Sequence, residues 1–276
     1  MNRKKPFDIF LSAITYGAAA IAILTLLFLI GYIVFKGVPN LKPSLFALNY
    51  TSENVSVVPA IITTVEMTLL SLIISVPLGV FTAIYLVEYA KRSNKIIGII
   101  RLTTETLSGI PSIIYGLFGM LFFVTALGWG FSVIAGAFTL SIMILPLIIR
   151  TTEEALKSVP DSYREGAFGL GAGRLRTVFK IILPAAVPGI LSGVVLAIGR
   201  IVGETAALIY TSGTVAQTPV KLTDSARTLA VHMYNLSSEG LHTNEAYATA
   251  LILLVMVTGI NALAGYAAKK ISMEKK

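Results

Sequence analysis

Two ionisable residues stand in the otherwise apolar run Ile198-Gly199-Arg200-Ile201-Val202-Gly203-Glu204-Thr205. Arg200 and Glu204 are four apart, so on a continuous helix they share a face and pair. An arginine inside a membrane span is expensive and faces a bundle interior or a water-filled cavity. Its planar fork of donors suits phosphate or carboxylate. Two readings follow. Arg200 contacts a passing oxyanion beside Thr205, with Glu204 holding it in place and keeping the site weak enough to release; or the pair is a structural ion pair that locks helices together. Other chemistry is scarce. The chain has no cysteine, and the spacing of His232 and His242 fits no zinc motif, so both are read as surface-loop residues. No G-x-x-x-x-G-K-[ST] run is present. The chain therefore supplies no nucleotide chemistry, and no catalytic, metal or cofactor site is expected in it.

A second cluster lies in the loop before that run. About 30 residues, 150–180, separate two apolar stretches, and loops longer than roughly 12–15 residues usually have a function. Pro160-Asp161 ends a preceding helix. Ser162 and Glu165 are spaced as a capping box that starts a new one over Tyr163 to about Leu170, and Gly171-Ala172-Gly173 supplies the stop. The expectation is a short discrete helix feeding through Arg174, Arg176 and Lys180 into the span that carries Arg200.

Composition sets the solvent for these elements. Of 276 residues 55% are hydrophobic and 13% charged, with mean hydropathy +0.81, against about 25% charge in soluble domains. So little charge cannot coat a globule, and the chain reads as a lipid-embedded, all-α protein. Crossing a bilayer core takes about 20 apolar residues. Six spans are predicted, over about 9–35, 60–88, 106–127, 131–149, 184–209 and 246–268, in one membrane domain with a cytoplasmic loop over 150–183. Arg3-Lys4-Lys5 ahead of the first run reads as the flank of a retained span, since that run outlasts a secretory signal's 7–15 residues. With the N-terminus inside, 17 basic residues fall in cytoplasmic segments and four outside, with Arg200 within a span. That bias puts both termini in the cytoplasm and accounts for the net charge of +8 without nucleic acid. Glu66, Glu88 and Glu105 are read as interfacial. Trp129 is read as an interfacial aromatic at an outer turn, and 223–235 as a short amphipathic helix begun by Thr223 or Asp224 over the outer mouth. Gly109-Ile110-Pro111-Ser112 is either a packing feature or part of the pathway.

Glu165-Gly166-Ala167, then Gly171, then Ile181-x-Leu183-Pro184 resembles the EAA motif of bacterial ABC importer permeases, with Gly166 where alanine is usual. Gly109–Gly116 and Arg200-x-x-Gly203-Glu204-Thr205-Ala206 narrow the resemblance to the phosphate-specific (Pst) permeases. Arg150-Thr151-Thr152-Glu153-Glu154 and the short first outer loop look like the PstA-type rather than the PstC-type subunit. The resemblance implies a type I ABC importer permease in the inner membrane with six transmembrane helices and a cytoplasmic coupling helix. It also implies a PstC-like permease partner, two copies of a PstB-like ATPase that binds ATP and Mg²⁺, and a PstS-like phosphate-binding protein. Ser162, Glu165, Gly166, Ala167, Gly171 and Ala172 would dock the ATPase, and Arg200, Glu204 and Thr205 would line the pathway. Another tetrahedral oxyanion, sulfate or molybdate, and a non-transporting anchor or sensor for the ATPase are the competing readings. A transporter working alone is disfavoured by the docking helix.

Overall fold

The computed structural model describes residues 6–90 and 95–273. Arg3, Lys4, Lys5, Lys91, Arg92, Lys275 and Lys276 of the orientation argument lie outside them. The described chain is helical, with α1 (Pro6–Gly37), α2 (Val58–Ile84), α3 (Lys95–Ser108), α4 (Ser112–Gly119), α5 (Val133–Lys157), α6 (Asp161–Gly169), α7 (Arg174–Thr177), α8 (Leu183–Val202), α9 (Ala206–Ile209), α10 (Leu229–Glu239) and α11 (Thr243–Met273). π-helical turns extend α2 to Tyr89, extend α4 to Ala126 and join α7 to α8. Among the described residues five helical segments are long and apolar enough to cross a membrane: Phe10–Asn40, Val58–Tyr89, Val133–Lys157, Arg174–Val202 and Thr243–Tyr266. A sixth is the pair Ile97–Ser108 and Ser112–Ala126, bent by 102°.

The third predicted span, 106–127, is therefore not one straight helix. Pro111 has no amide to donate and pushes the residue before it out of helical geometry. Gly109 and Ile110 bond back to Thr106 O and Leu107 O, and α4 restarts with Pro111 as its N-cap. The Tyr115 hydroxyl donates to Leu107 O at 2.7 Å, pinning the elbow from inside. At the far end of α4 and its π-turn, Gly128 and Gly130 (φ +68° and +65°) make the tight turn into α5, and Trp129 stacks on Phe123 at 5.3 Å.

Helices α2, α5 and α8 form the centre. Met67, Leu140, Met143, Ile144, Ile148, Ala197 and Ile201 are fully buried in one cluster with Leu208. Ser71 donates to Ala137 O and Ser141 to Ser71 O, both at 3.2 Å, joining α2 to α5. In lipid, where apolar burial alone drives little association, small residues and such bonds hold helices together. A Cβ on Gly189 would meet Ala155 Cβ at 2.7 Å, and one on Gly193 would strike Thr151, so these glycines set the α5–α8 approach. Helix α1 has no buried residue in its apolar window. It touches α11 near Gly37, where Tyr247 O and Leu251 lie within 2.8 Å of a built Cβ.

The outer segment departs from expectation. Its helix begins at Leu229, five residues beyond Asp224, because Asp224 instead accepts the amides of Val220 (2.9 Å) and Lys221 (2.8 Å). Leu229, Val231 and His232 are all buried, so α10 is packed into the protein. Its C-cap is Gly240 at φ +72°. His232 is 1% exposed, which corrects its reading as a surface residue. Burial and the neighbouring Arg227 charge push its imidazole down to about 3. The folded value lies below the unfolded one, so folding excludes a proton that the unfolded chain binds below pH 6.5. This contribution leaves stability intact above pH 6.5 and erodes it as pH falls towards 3, by about 1.4 kcal/mol per unit at most. His232→Phe is expected to flatten the acid limb of chemical denaturation in detergent between about pH 6 and pH 4; an unchanged slope would mean that the imidazole takes up protons freely in the folded protein.

Candidate functional site

Arg200 lies in the last turn of α8, where a cation complements the helix dipole. The helix stops two residues later. Gly203 is its C-cap, and the Gly203 and Glu204 amides fold back to Gly199 O and Ile201 O. Glu204 is therefore not on the next turn of the same face, and the predicted Arg200–Glu204 pair does not form. The Glu204 carboxylate instead accepts the Ala207 amide at 3.1 Å, capping α9. Among the described residues no carboxylate lies within 4.0 Å of the Arg200 guanidinium. Arg200 is half-buried and acts electrostatically on Tyr115, the residue that pins the α3–α4 elbow. Thr205, half-buried, is the N-cap of α9. A Cβ on Gly116 would sit 2.7 Å from Ala207 Cα, so α4 and α9 touch backbone to backbone. Two interrupted helices, one broken at 109–111 and one at 203–205, thus meet around one unneutralised cation. Broken helices at membrane depth are tolerated where they line a cavity or are buried in protein. The Gly109–Ser112 run belongs to this junction.

The second candidate element is α6, in the loop between α5 and α8. Its N-cap is Pro160, with no side-chain cap bond, so the expected Ser162–Glu165 capping box is absent. The helix starts one residue before Ser162, with Asp161 in its first turn and the Tyr163 amide bonded to Pro160 O at 3.1 Å. The predicted stop is present. Gly171 takes φ +79°, its amide bonds Phe168 O at 2.9 Å, and the Ala172 amide reaches Ala167 O at 3.0 Å. This is a Schellman turn, which needs a left-handed residue at that place.

What fixes α6 to the bundle was not legible in its own sequence. Arg164 Nη2 lies 2.7 Å from Glu88 Oε1, at the end of the π-turn after α2. The same guanidinium donates to Leu156 O (3.0 Å), Val159 O (2.9 Å) and Asp161 Oδ1 (3.1 Å). One arginine thus satisfies carbonyls left open at the end of α5 and joins three elements. Glu88 is 8% exposed and is not the interfacial residue expected. Beside this clamp lies a cavity of about 690 Å³ lined by Arg101, Lys157, Arg164, Phe168 and Arg174 among others. Glu153 Oε1 ties α3 to α5 there, 2.7 Å from Arg101 Nη2 and 2.6 Å from Lys157 Nζ.

Of the α6 motif residues, Ala167 packs inward while Ser162, Glu165, Gly166 and Gly171 are exposed and Ala172 is half-exposed. Tyr163 is exposed and Leu170 is 91% exposed. Tyr163, Gly166 and Leu170 share one helix face by spacing. That face is apolar and exposed at both of its large side chains.

A family described as "Binding-protein-dependent transport system inner membrane component" matches residues 75–273. The chain belongs to this family. It is 34% identical over 243 residues to the probable ABC transporter permease protein YqgI of Bacillus subtilis, covering 81% of each chain. It is 37% identical over 238 residues to the phosphate transport system permease protein PstA 2 of Mycobacterium tuberculosis, covering 84% of this chain and 78% of that one. A crystal structure titled as a bacterial ABC transporter involved in the import of the acidic polysaccharide alginate aligns with TM-score 0.69 over 96% of this chain and 98% of that one, at 18% identity; this likeness shows a shared fold. The PstA-type resemblance and the type I importer permease architecture read from the sequence are those observed, in a multi-pass membrane component.

Removing one partner of a buried ion pair typically costs about 3–5 kcal/mol. Arg164→Met is expected to lower the stability of the purified permease by an amount in that range and to open residues 158–173 to protease. Unchanged protection of that segment would mean that α6 is held by other contacts.

Proposed function

We propose that the chain is one of two membrane subunits of an ATP-driven importer that carries inorganic phosphate into the cytoplasm. Phosphate enters the reading through the PstA relatives. The observation that carries it in this molecule is Arg200, a half-buried guanidinium at a helix break with no carboxylate partner among the described residues. A permanently neutralised arginine would have little attraction left for an anion; this one keeps its bidentate fork available. Glu204, occupied at the α9 amide, lowers the local positive potential without blocking Arg200, and Thr205 stands beside both. A weak site of this kind binds and releases.

In this reading a PstC-like subunit supplies the other half of the pathway and a PstS-like protein delivers phosphate from outside. Two PstB-like ATPases hydrolyse Mg·ATP, and one docks on α6 through Ser162, Glu165, Gly166, Ala167, Gly171 and Ala172. The exposed Tyr163 and Leu170 extend that surface. Both termini are cytoplasmic, by the distribution of basic residues. Movement of α6 would pass through the Arg164–Glu88 clamp to α2, and along the unbroken Arg174–Val202 segment to Arg200.

Arg200→Gln in the complete importer, reconstituted in liposomes, is expected to cut phosphate uptake by about a hundredfold or more, as loss of a charged contact does, with the complex still assembled. Full uptake would end the pathway role. Leu170→Asp should abolish co-purification of the ATPase; an intact complex would put the docking surface elsewhere. Sulfate and molybdate, offered with their own binding proteins, should not stimulate ATP hydrolysis; stimulation by either would replace phosphate as the cargo.

A further inference from the structure

The segment between α9 and α10 contains a second buried cation, apart from Arg200. Arg227 is 6% exposed, and its Nε and Nη2 are both buried without a hydrogen-bond partner. These two nitrogens form one edge of the guanidinium, the edge that holds an oxyanion with two parallel bonds. Thr228, the N-cap of α10, makes no cap bond, and its hydroxyl is also buried and unpartnered. One turn on, the His232 ring is buried, with the Val55 backbone beside it and no side-chain partner on either nitrogen. Tyr50 lies across the cluster, its ring 4.9 Å from Arg227 Cζ and edge-on to His232 at 6.0 Å.

Among the described residues no carboxylate lies within 4.0 Å of the Arg227 guanidinium, and Asp224 and Glu245 are engaged elsewhere. Asp224 takes the Val220 and Lys221 amides, and Glu245 takes Lys42 at 3.0 Å with His242 at 3.8 Å. The backbone near His232 is strained as well. Val55, a β-branched residue that is 1% exposed, sits at φ +49°. Such a conformation is costly and is found at ligand clamps more than elsewhere. A buried guanidinium without a counter-charge is among the costliest features a fold can carry. Here it lies beside a buried hydroxyl, an imidazole and the positive end of an 11-residue helix. The guanidinium edge and the hydroxyl would be satisfied together by one small oxyanion, with the imidazole beside it.

We propose that Arg227, Thr228 and His232, covered by Tyr50, form an outer oxyanion site that holds inorganic phosphate before it reaches Arg200. The identity of the ligand rests on the phosphate reading above; the existence of the site does not. Tyr50 is half-buried and belongs to the loop between α1 and α2, so moving this loop uncovers the guanidinium.

The test is thermal unfolding of the assembled importer in nanodiscs, without binding protein or ATP, titrated with inorganic phosphate, sulfate or chloride. Phosphate should raise the midpoint of the wild type and of Arg200→Gln alike. Arg227→Met should lose that response, with apparent affinity reduced about tenfold or more, while without phosphate it unfolds no earlier than the wild type because an unpaired buried cation is gone. Arg227→Lys keeps the charge but not the two-nitrogen edge and should lose the response too, which covers the case of a misfolded Met variant. A phosphate response that survives both substitutions, or one that chloride reproduces in full, overturns the proposal. Loss of the response in Arg200→Gln alone also overturns it and leaves the pathway reading standing. A sulfate response that depends on Arg227 upholds the site while replacing the ligand taken from the phosphate reading.

Discussion

A helix that ends inside a bilayer must have its freed backbone groups satisfied by protein, because the hydrocarbon offers no hydrogen bonds. Much of this structure answers that constraint. Where α3 ends, the Tyr115 hydroxyl takes Leu107 O. Where α9 begins, Glu204 takes the Ala207 amide. Where α5 ends, at the water-facing side, Arg164 takes Leu156 O and Val159 O. Each satisfying side chain comes from a different helix or turn from the one it completes, so every interruption also becomes a joint between elements. Breaks placed in this way create irregular backbone at depth without leaving it orphaned, and that is where a cation can stand without a fixed partner.

The same logic separates the two charges of the Arg200 segment. A helix continuing through residue 204 would have paired Arg200 with Glu204 and quenched both. Gly203 ends the helix instead, Glu204 is taken by backbone, and Arg200 keeps its charge beside Tyr115. The break therefore does chemical as well as architectural work. At the other end of the same continuous helical segment, the Gly171 turn and the Arg164 clamp hold α6 at a set angle with Leu170 outward. The proposed substrate contact and the proposed docking face are separated by one length of stiff chain.

What could be read from the sequence was local. Hydropathy locates the apolar runs and Gly171-Ala172-Gly173 announces the helix stop, while the 102° bend within the predicted span 106–127 follows from neither. Features that depend on distant partners were not legible. Glu88 and Arg164 lie 76 residues apart, and nothing near either one signals the other. Ser162 and Glu165 have the right spacing for a capping box, but Pro160 starts the helix one residue early and moves both out of register. His232 was assigned to the surface because its neighbours in sequence are polar; its burial comes from packing against Tyr50 and the Val55 turn. Charge in an apolar run marks Arg200 in the sequence, while the pairing with Glu204 fails at a helix end.

The central claim is that Arg200 is left unpaired by the protein so that it can meet the transported anion. It is tested most directly by cryo-electron microscopy of the complete importer trapped with phosphate part-way through transport. The account predicts tetrahedral density within hydrogen-bond distance of the Arg200 guanidinium, with no carboxylate on it in the resting complex. A resting complex in which a carboxylate of the second membrane subunit holds Arg200, and retains it when phosphate is bound elsewhere, would contradict the account.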